Sequence, residues 1–158
     1  MEENLIKWIN NISEKRNELG GFSICPFAKK ALEEKKVYVS YIDETPMMYI
    51  LKYIENLSVS DFELIIFYNL SKSLTDDDLK YIISMLHKEV PHLVFLKDHP
   101  NNPGYINGIH TGNGEYPLIL VQPKNKLEEA RNKLKKTKYY DVWSDEYKNE
   151  IWSYGNEC

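Results

Sequence analysis

The chain has 158 residues and a formal charge of −4, from 20 basic and 24 acidic residues mixed along its length. That is one domain's worth of chain, able to bury roughly 70% of the surface its unfolded form exposes, so it needs no disulfide or structural metal to fold. The acidic balance leaves no electrostatic footprint for nucleic acid. No apolar run approaches the roughly 20 residues that span a bilayer, and the start at Glu2 and Glu3 is unlike a secretory leader, so a soluble cytoplasmic protein with no membrane partner is expected.

In chain order, Leu5, Trp8, Ile9 and Ile12 recur at helical spacing between Glu2 and Leu19, with acids in front, Lys15 and Arg16 behind and Gly20 as a stop. Pro26 suits a first helical turn, so a short second helix is expected to start there, with Cys25 at or beside its N-cap. Residues 36–42 (KVYVSYI) are β-branched and aromatic and read as a strand. Thr45 and Pro46 open a helix with Met47, Ile50, Leu51 and Ile54 on one face. Residues 63–68 (ELIIFY) read as a strand covered on both faces. Thr75 with Asp78 forms a capping-box start for a helix carrying Leu79, Ile82, Ile83 and Leu86.

Residues 92–97 and 117–122 supply two further strands, and 125–136 another helix. Residues 1–138 then form one α/β domain, and the aromatic tail, 139–158, docks on it or on a partner. The expected fold is a single mixed sheet of about four strands with helices on its faces, in the order α-α-β-α-β-α-β-β-α. That order matches a thioredoxin-like core, with a ferredoxin-like sandwich as the competing arrangement.

The long loop between the last two strands, rich in glycine, asparagine and proline, is the first place to look for function, because long loops that persist in compact domains usually bind or catalyse. Cys25 is the candidate nucleophile. A free thiol has a pKa of about 8.5 and is only about 3% thiolate at pH 7, whereas a helix start with Lys29 and Lys30 nearby favours the anion. The alternative is a small buried hydrophobe. Both cysteines, Cys25 and Cys158, are read as reduced thiols, since two distant cysteines do not make the dense framework of secreted scaffolds.

In the loop, His99 is a candidate base oriented by Asp98, and Cys25, His99 and His110 are candidate ligands for a divalent transition metal. Hydrogen bonding that only holds the loop is the competing use of these side chains. Lys29, Tyr105, His110, Asn113 and Tyr116 are candidate binding residues. The expectation is a small-molecule or metal pocket between Cys25 and the 98–115 loop, with thiol-dependent catalysis as its chemistry. The alternative is a protein-interaction module using the loop and the tail aromatics Trp143, Tyr147, Trp152 and Tyr154.

The Cys25-Pro26-Phe27-Ala28 segment resembles the Cys-Pro-Phe/Tyr-Cys start of glutaredoxins. Ala28 stands where their second cysteine would be, and the segment precedes the first strand instead of following it. Together with His99-Pro100 and Tyr116-Pro117-Leu118, the same segment resembles an uncharacterised bacterial Cys-Pro-Phe-Ala family, a domain of unknown function. That resemblance implies that Cys25, His99 and Tyr116 gather at one site, but names no reaction. The chain departs from the family pattern in lacking its arginine within 113–117.

Overall fold

The computed structural model describes residues 2–143 and 145. Helix α1 spans Glu3–Ile12 and α2 spans Ala28–Glu33; strand β1 (Val37–Tyr41), helix α3 (Pro46–Glu55), strand β2 (Leu64–Tyr68) and helix α4 (Asp76–Glu89) follow. Strand β3 (Leu93–Asp98) leads into a two-stranded ribbon, β4 (Tyr105–Ile106) and β5 (Ile109–His110), and strand β6 (Leu118–Pro123) precedes helix α5 (Lys124–Lys135). The expected α/β class and single mixed sheet of four strands are what the chain forms, in the order β1-β2-β6-β3. Strand β1 runs parallel to β2, while β6 is inserted antiparallel between β2 and β3.

One consequence matters for function: the C-terminal ends of β1, β2 and β3 all lie at one end of the sheet, beside the start of β6. The loop from Asp98 to Pro117 closes that end. At the opposite end lie the starts of β1 and β2 and the end of β6.

Alternation along the strands builds a core on each face. Leu64, Ile66 and Leu118 pack with Leu5, Ile9, Ile12, Ala28 and Ala31 of α1 and α2. Ile65, Phe67, Phe95, Ile119 and Val121 pack with Ile50, Leu79, Ile83 and Leu86 of α3 and α4. The nearly unbroken apolar run of β2 is the signature of a strand covered on both faces.

Three local expectations change. Helix α1 ends at Ile12, not near Leu19, because residues 13–18 offer no apolar side chain to continue the stripe; a short 3-10 turn, Asn17–Leu19, closes on Gly20 at φ 65°. Pro26 does not open α2: the helix starts at Ala28 after Phe27, so Cys25 sits in the preceding turn, where its carbonyl accepts from the Ala28 N–H at 3.3 Å. The long loop contains a ribbon. Its turn, Asn107-Gly108, has both residues left-handed at φ 47° and 80°, the geometry that tight hairpins require. The capping box at Thr75 and Asp78 forms as expected.

The start of the tail belongs to the core. Tyr139, Tyr140 and Trp143 are buried against the α1–α2 face, and the Tyr139 hydroxyl donates to the Ile24 carbonyl. Tyr147, Trp152, Tyr154 and Cys158 lie outside the described residues. Among the described residues no helix is long and apolar enough to cross a membrane.

Candidate functional site

At the loop end of the sheet, polar side chains are consumed by one another. Asp98 ends β3, and its Oδ2 accepts from the Asn113 N–H at 2.9 Å and from Asn113 Nδ2 at 2.6 Å. Asn113 Nδ2 also donates to the Tyr116 carbonyl, while its Oδ1 accepts from the Glu115 and Tyr116 N–H groups at 3.0 and 2.7 Å. Both donors and both acceptor positions of that amide are therefore used. Gly112 lets the carboxylate come close: a Cβ there would stand 2.6 Å from Asp98 Oδ1.

His99 is buried and bonded at both ring nitrogens. Its Nδ1 accepts from the Asn101 N–H at 3.1 Å, which leaves the proton on Nε2 to be donated to the Leu74 carbonyl at 2.9 Å. A ring held in that way has no nitrogen to offer as a base or as a metal ligand. The general-base role expected for His99, with Asp98 as its orienter, is therefore not the use this fold makes of them: Asp98 turns to Asn113 and His99 to Leu74.

Asn69, which drew no attention in the sequence, is the centre of the same region. It is fully buried at the end of β2; its Nδ2 donates to the Ile42 carbonyl at 2.9 Å, its Oδ1 accepts from the Leu74 N–H at 2.8 Å, and its own N–H donates to the Pro117 carbonyl. Leu74 is thus held at its N–H by Asn69 and at its carbonyl by His99, which sets the entry of α4. Asp76, in the first turn of α4, receives Lys97 Nζ at 2.6 Å and Asn102 Nδ2 at 3.0 Å. Burial pushes the Asp76 carboxyl upward, but those two hydrogen bonds and the Lys97 charge outweigh it and hold the group below its usual range.

Other loop residues are tied to the N-terminal helix and to the 3-10 turn after it. Trp8 Nε1 donates to the Thr111 carbonyl at 3.0 Å, Asn4 to Glu115 at 2.8 Å and Asn107 to the Glu18 carbonyl at 2.8 Å. Tyr116 is buried, with Lys72 Nζ 5.0 Å from its ring centroid. Tyr105 is exposed and meets His110 edge-on. Lys29 is exposed on α2.

Cys25 is elsewhere. It is 3% exposed, and its N–H donates to the Ile12 carbonyl at the C-terminal end of α1. It lines a cleft of about 290 Å³ between α2 and α5, together with Ala28, Ala31, Leu64, Pro123 and Ala130. Leu64 starts β2 and Pro123 ends β6, so this cleft lies at the end of the sheet opposite the loop. Its rim carries Lys30, Lys126 and Lys133 against Glu34, Glu63 and Glu129. Lys126 Nζ donates to the Val59 and Phe62 carbonyls and to Glu63, each at 3.2 Å, which pins the start of α5 across the cleft from α2.

Cys25 shares a hydrophobic core with Ile106 and Tyr116 of the loop, but none of Asp98, His99, Tyr105, His110, Asn113 or Tyr116 lines the Cys25 cleft. Cys25 is also disulfide-bonded, not the reduced thiol expected, which removes the thiolate as long as that bond stands. Among the described residues no group of three or more His, Cys, Asp or Glu side chains is placed to hold a metal ion. The expected combination of Cys25, His99 and His110 is one of those that do not assemble.

Asn69 was legible in one respect only, as a polar residue directly after an apolar strand and before a helix cap. Asn107-Gly108 was legible outright as a hairpin dipeptide. Comparison with family models, curated proteins and solved structures finds no match to this chain.

Proposed function

We propose that the chain binds a small organic molecule in the cleft between α2 and α5. The observation that supports this reading is the cleft's make-up: about 290 Å³, with an apolar floor of Ala31, Leu64, Pro123 and Ala130 under a rim of lysines and glutamates. Small-molecule sites are concave, mainly apolar and edged by a few polar groups, and this volume is close to the lower bound of about 300 Å³ for such sites. Rim charges of both signs fit a ligand with an apolar body and a neutral or zwitterionic head.

Cys25 stands on the wall of this cleft, so thiol chemistry there requires its disulfide to be reduced first; binding does not. The loop end of the sheet acts as a clasp that holds β3, β6, α1 and α4 together and takes no part in the binding.

A screen of small organic compounds by thermal shift, with and without reductant, tests the reading. Compounds that raise the melting temperature of the wild type should lose that effect in Ala130→Trp, whose indole fills the cleft from the α5 side. Persistence of the shift in Ala130→Trp, or no stabilising compound in a broad screen, contradicts it. An adduct on Cys25, seen by mass spectrometry only after reduction, would add the thiol step to the binding.

A further inference from the structure

The two edges of the sheet are treated differently. Strand β3 has α4 beside it, and the outward N–H of Phe95 is met by His87 Nε2 at 3.0 Å. Burial, then the nearby Lys124 charge, lowers the His87 pKa and keeps that ring the neutral acceptor this bond needs. Among the described residues no comparable device guards β1. The strand Val37–Tyr41 contains no charge, proline or glycine, and its register with β2 runs without a bulge. Edge strands ordinarily carry one of those protections, because a bare edge is a template for another strand.

The hydrogen bonds identify which groups are open among the described residues. The Lys36 carbonyl accepts from the Glu63 N–H at 2.9 Å, and the Ile42 N–H donates to the Tyr68 carbonyl at 2.8 Å, so even-numbered residues of β1 face β2. By alternation Val37, Val39 and Tyr41 turn both N–H and C=O to the free edge. Tyr41 is 57% exposed there.

We infer that this edge pairs with the same edge of a second copy, β1 antiparallel to β1 about a two-fold axis normal to the sheet, joining two sheets into one. The charges flanking the strand favour that occupant. Lys35 and Lys36 precede it and Asp43 and Glu44 follow it. With Val39 opposite Val39 of the second copy, Val37 meets Tyr41 and Lys35 meets Asp43, so each basic end lies on an acidic end. A parallel pairing would set like charges side by side. The left-handed residues Lys35 (φ 56°) and Thr45 (φ 44°) end the extended stretch, so the backbone ladder is limited to Val37–Tyr41 and the charges flank it.

Sedimentation equilibrium on the full chain tests the inference with two variants. Val39→Pro removes only an outward N–H, which an edge strand tolerates, so its circular dichroism should match the wild type. Lys35→Glu/Lys36→Glu sets acid against acid without touching the backbone. The wild type should be dimeric at about 100 μM, and each variant should dissociate at least about tenfold more readily. High salt should restore association to the charge variant alone, because it screens the repulsion. A wild type that stays monomeric at that concentration overturns the inference. So does a folded Val39→Pro, or a charge variant, that associates as tightly as the wild type.

Discussion

Replacing Gly112 with alanine should cost far more than a glycine-to-alanine change ordinarily does. Gly112 does not have a positive φ, so its backbone does not itself exclude alanine. The obstacle is the carboxylate of Asp98: the new Cβ would sit 2.6 Å from Oδ1 and 3.2 Å from Oδ2. Asp98 must then turn away, which breaks the bonds its Oδ2 accepts from the Asn113 N–H and Nδ2. Hydrogen bonds to a charged acceptor contribute about 1.5–3 kcal/mol each; with partial solvent access at this site, a total loss of about 2–4 kcal/mol is expected. Urea unfolding of four proteins, wild type, Gly112→Ala, Asp98→Ala and the double variant, measures it as a cycle. The alanine should cost little once Asp98 is gone. A Gly112→Ala protein within about 0.5 kcal/mol of the wild type, or an equal cost in both backgrounds, would refute the reasoning.

Three further outcomes follow from the same geometry. Asn69→Ala should lose about 3 kcal/mol or more in urea unfolding, since it strands the buried Ile42 carbonyl and Leu74 N–H; a loss under about 1 kcal/mol would mean that water replaces the amide. His87 titrates in the folded state below its ordinary 6.5. As pH falls through 6.5 the unfolded chain takes up the proton first, so stability declines from there down to the folded pKa and is unaffected above it. Comparing urea midpoints of the wild type and His87→Gln at neutral and mildly acidic pH should show part of the wild-type slope missing in the variant; identical slopes would remove His87 from the account. Finally, Ser40→Pro should destabilise the fold where Val39→Pro does not, because the Ser40 N–H faces β2; equal effects on the melting temperature would contradict the assignment of the open edge.

Much of the architecture was legible because it rests on local signals. The alternation of β2, the stripe of α4 and the Thr75–Asp78 box each specify their element without reference to the rest of the chain. The loop was visible as an unusual stretch, and its asparagines were readable as turn formers. Its purpose was not, because that depends on which carbonyls come within reach of Asn113, His99 and Asn69, and those partners are brought there by strand order. Nothing local indicates that β6 enters the sheet between β2 and β3, and that choice sets Leu118 beside Asp98 and Tyr68. The placing of Cys25 and His99 has the same origin: His99 directly follows β3 at the finishing end of the sheet, whereas Cys25, before α2, lines the cleft with Leu64 and Pro123 at the starting end. The Cys25 environment also turned on two residues of register: with α2 opening at Ala28, the sulfur belongs to a turn and not to a helix terminus.

The claim that a ligand enters beside Cys25 while the loop only clasps the fold is tested most directly by amide chemical-shift mapping of the isotope-labelled protein with a stabilising compound from the screen. The largest shifts should fall on Ala31, Leu64, Gln122 and Ala130, with Gly104, Gly112 and Asn113 unmoved. Shifts concentrated on the loop glycines and His99, with the cleft residues silent, would contradict the account.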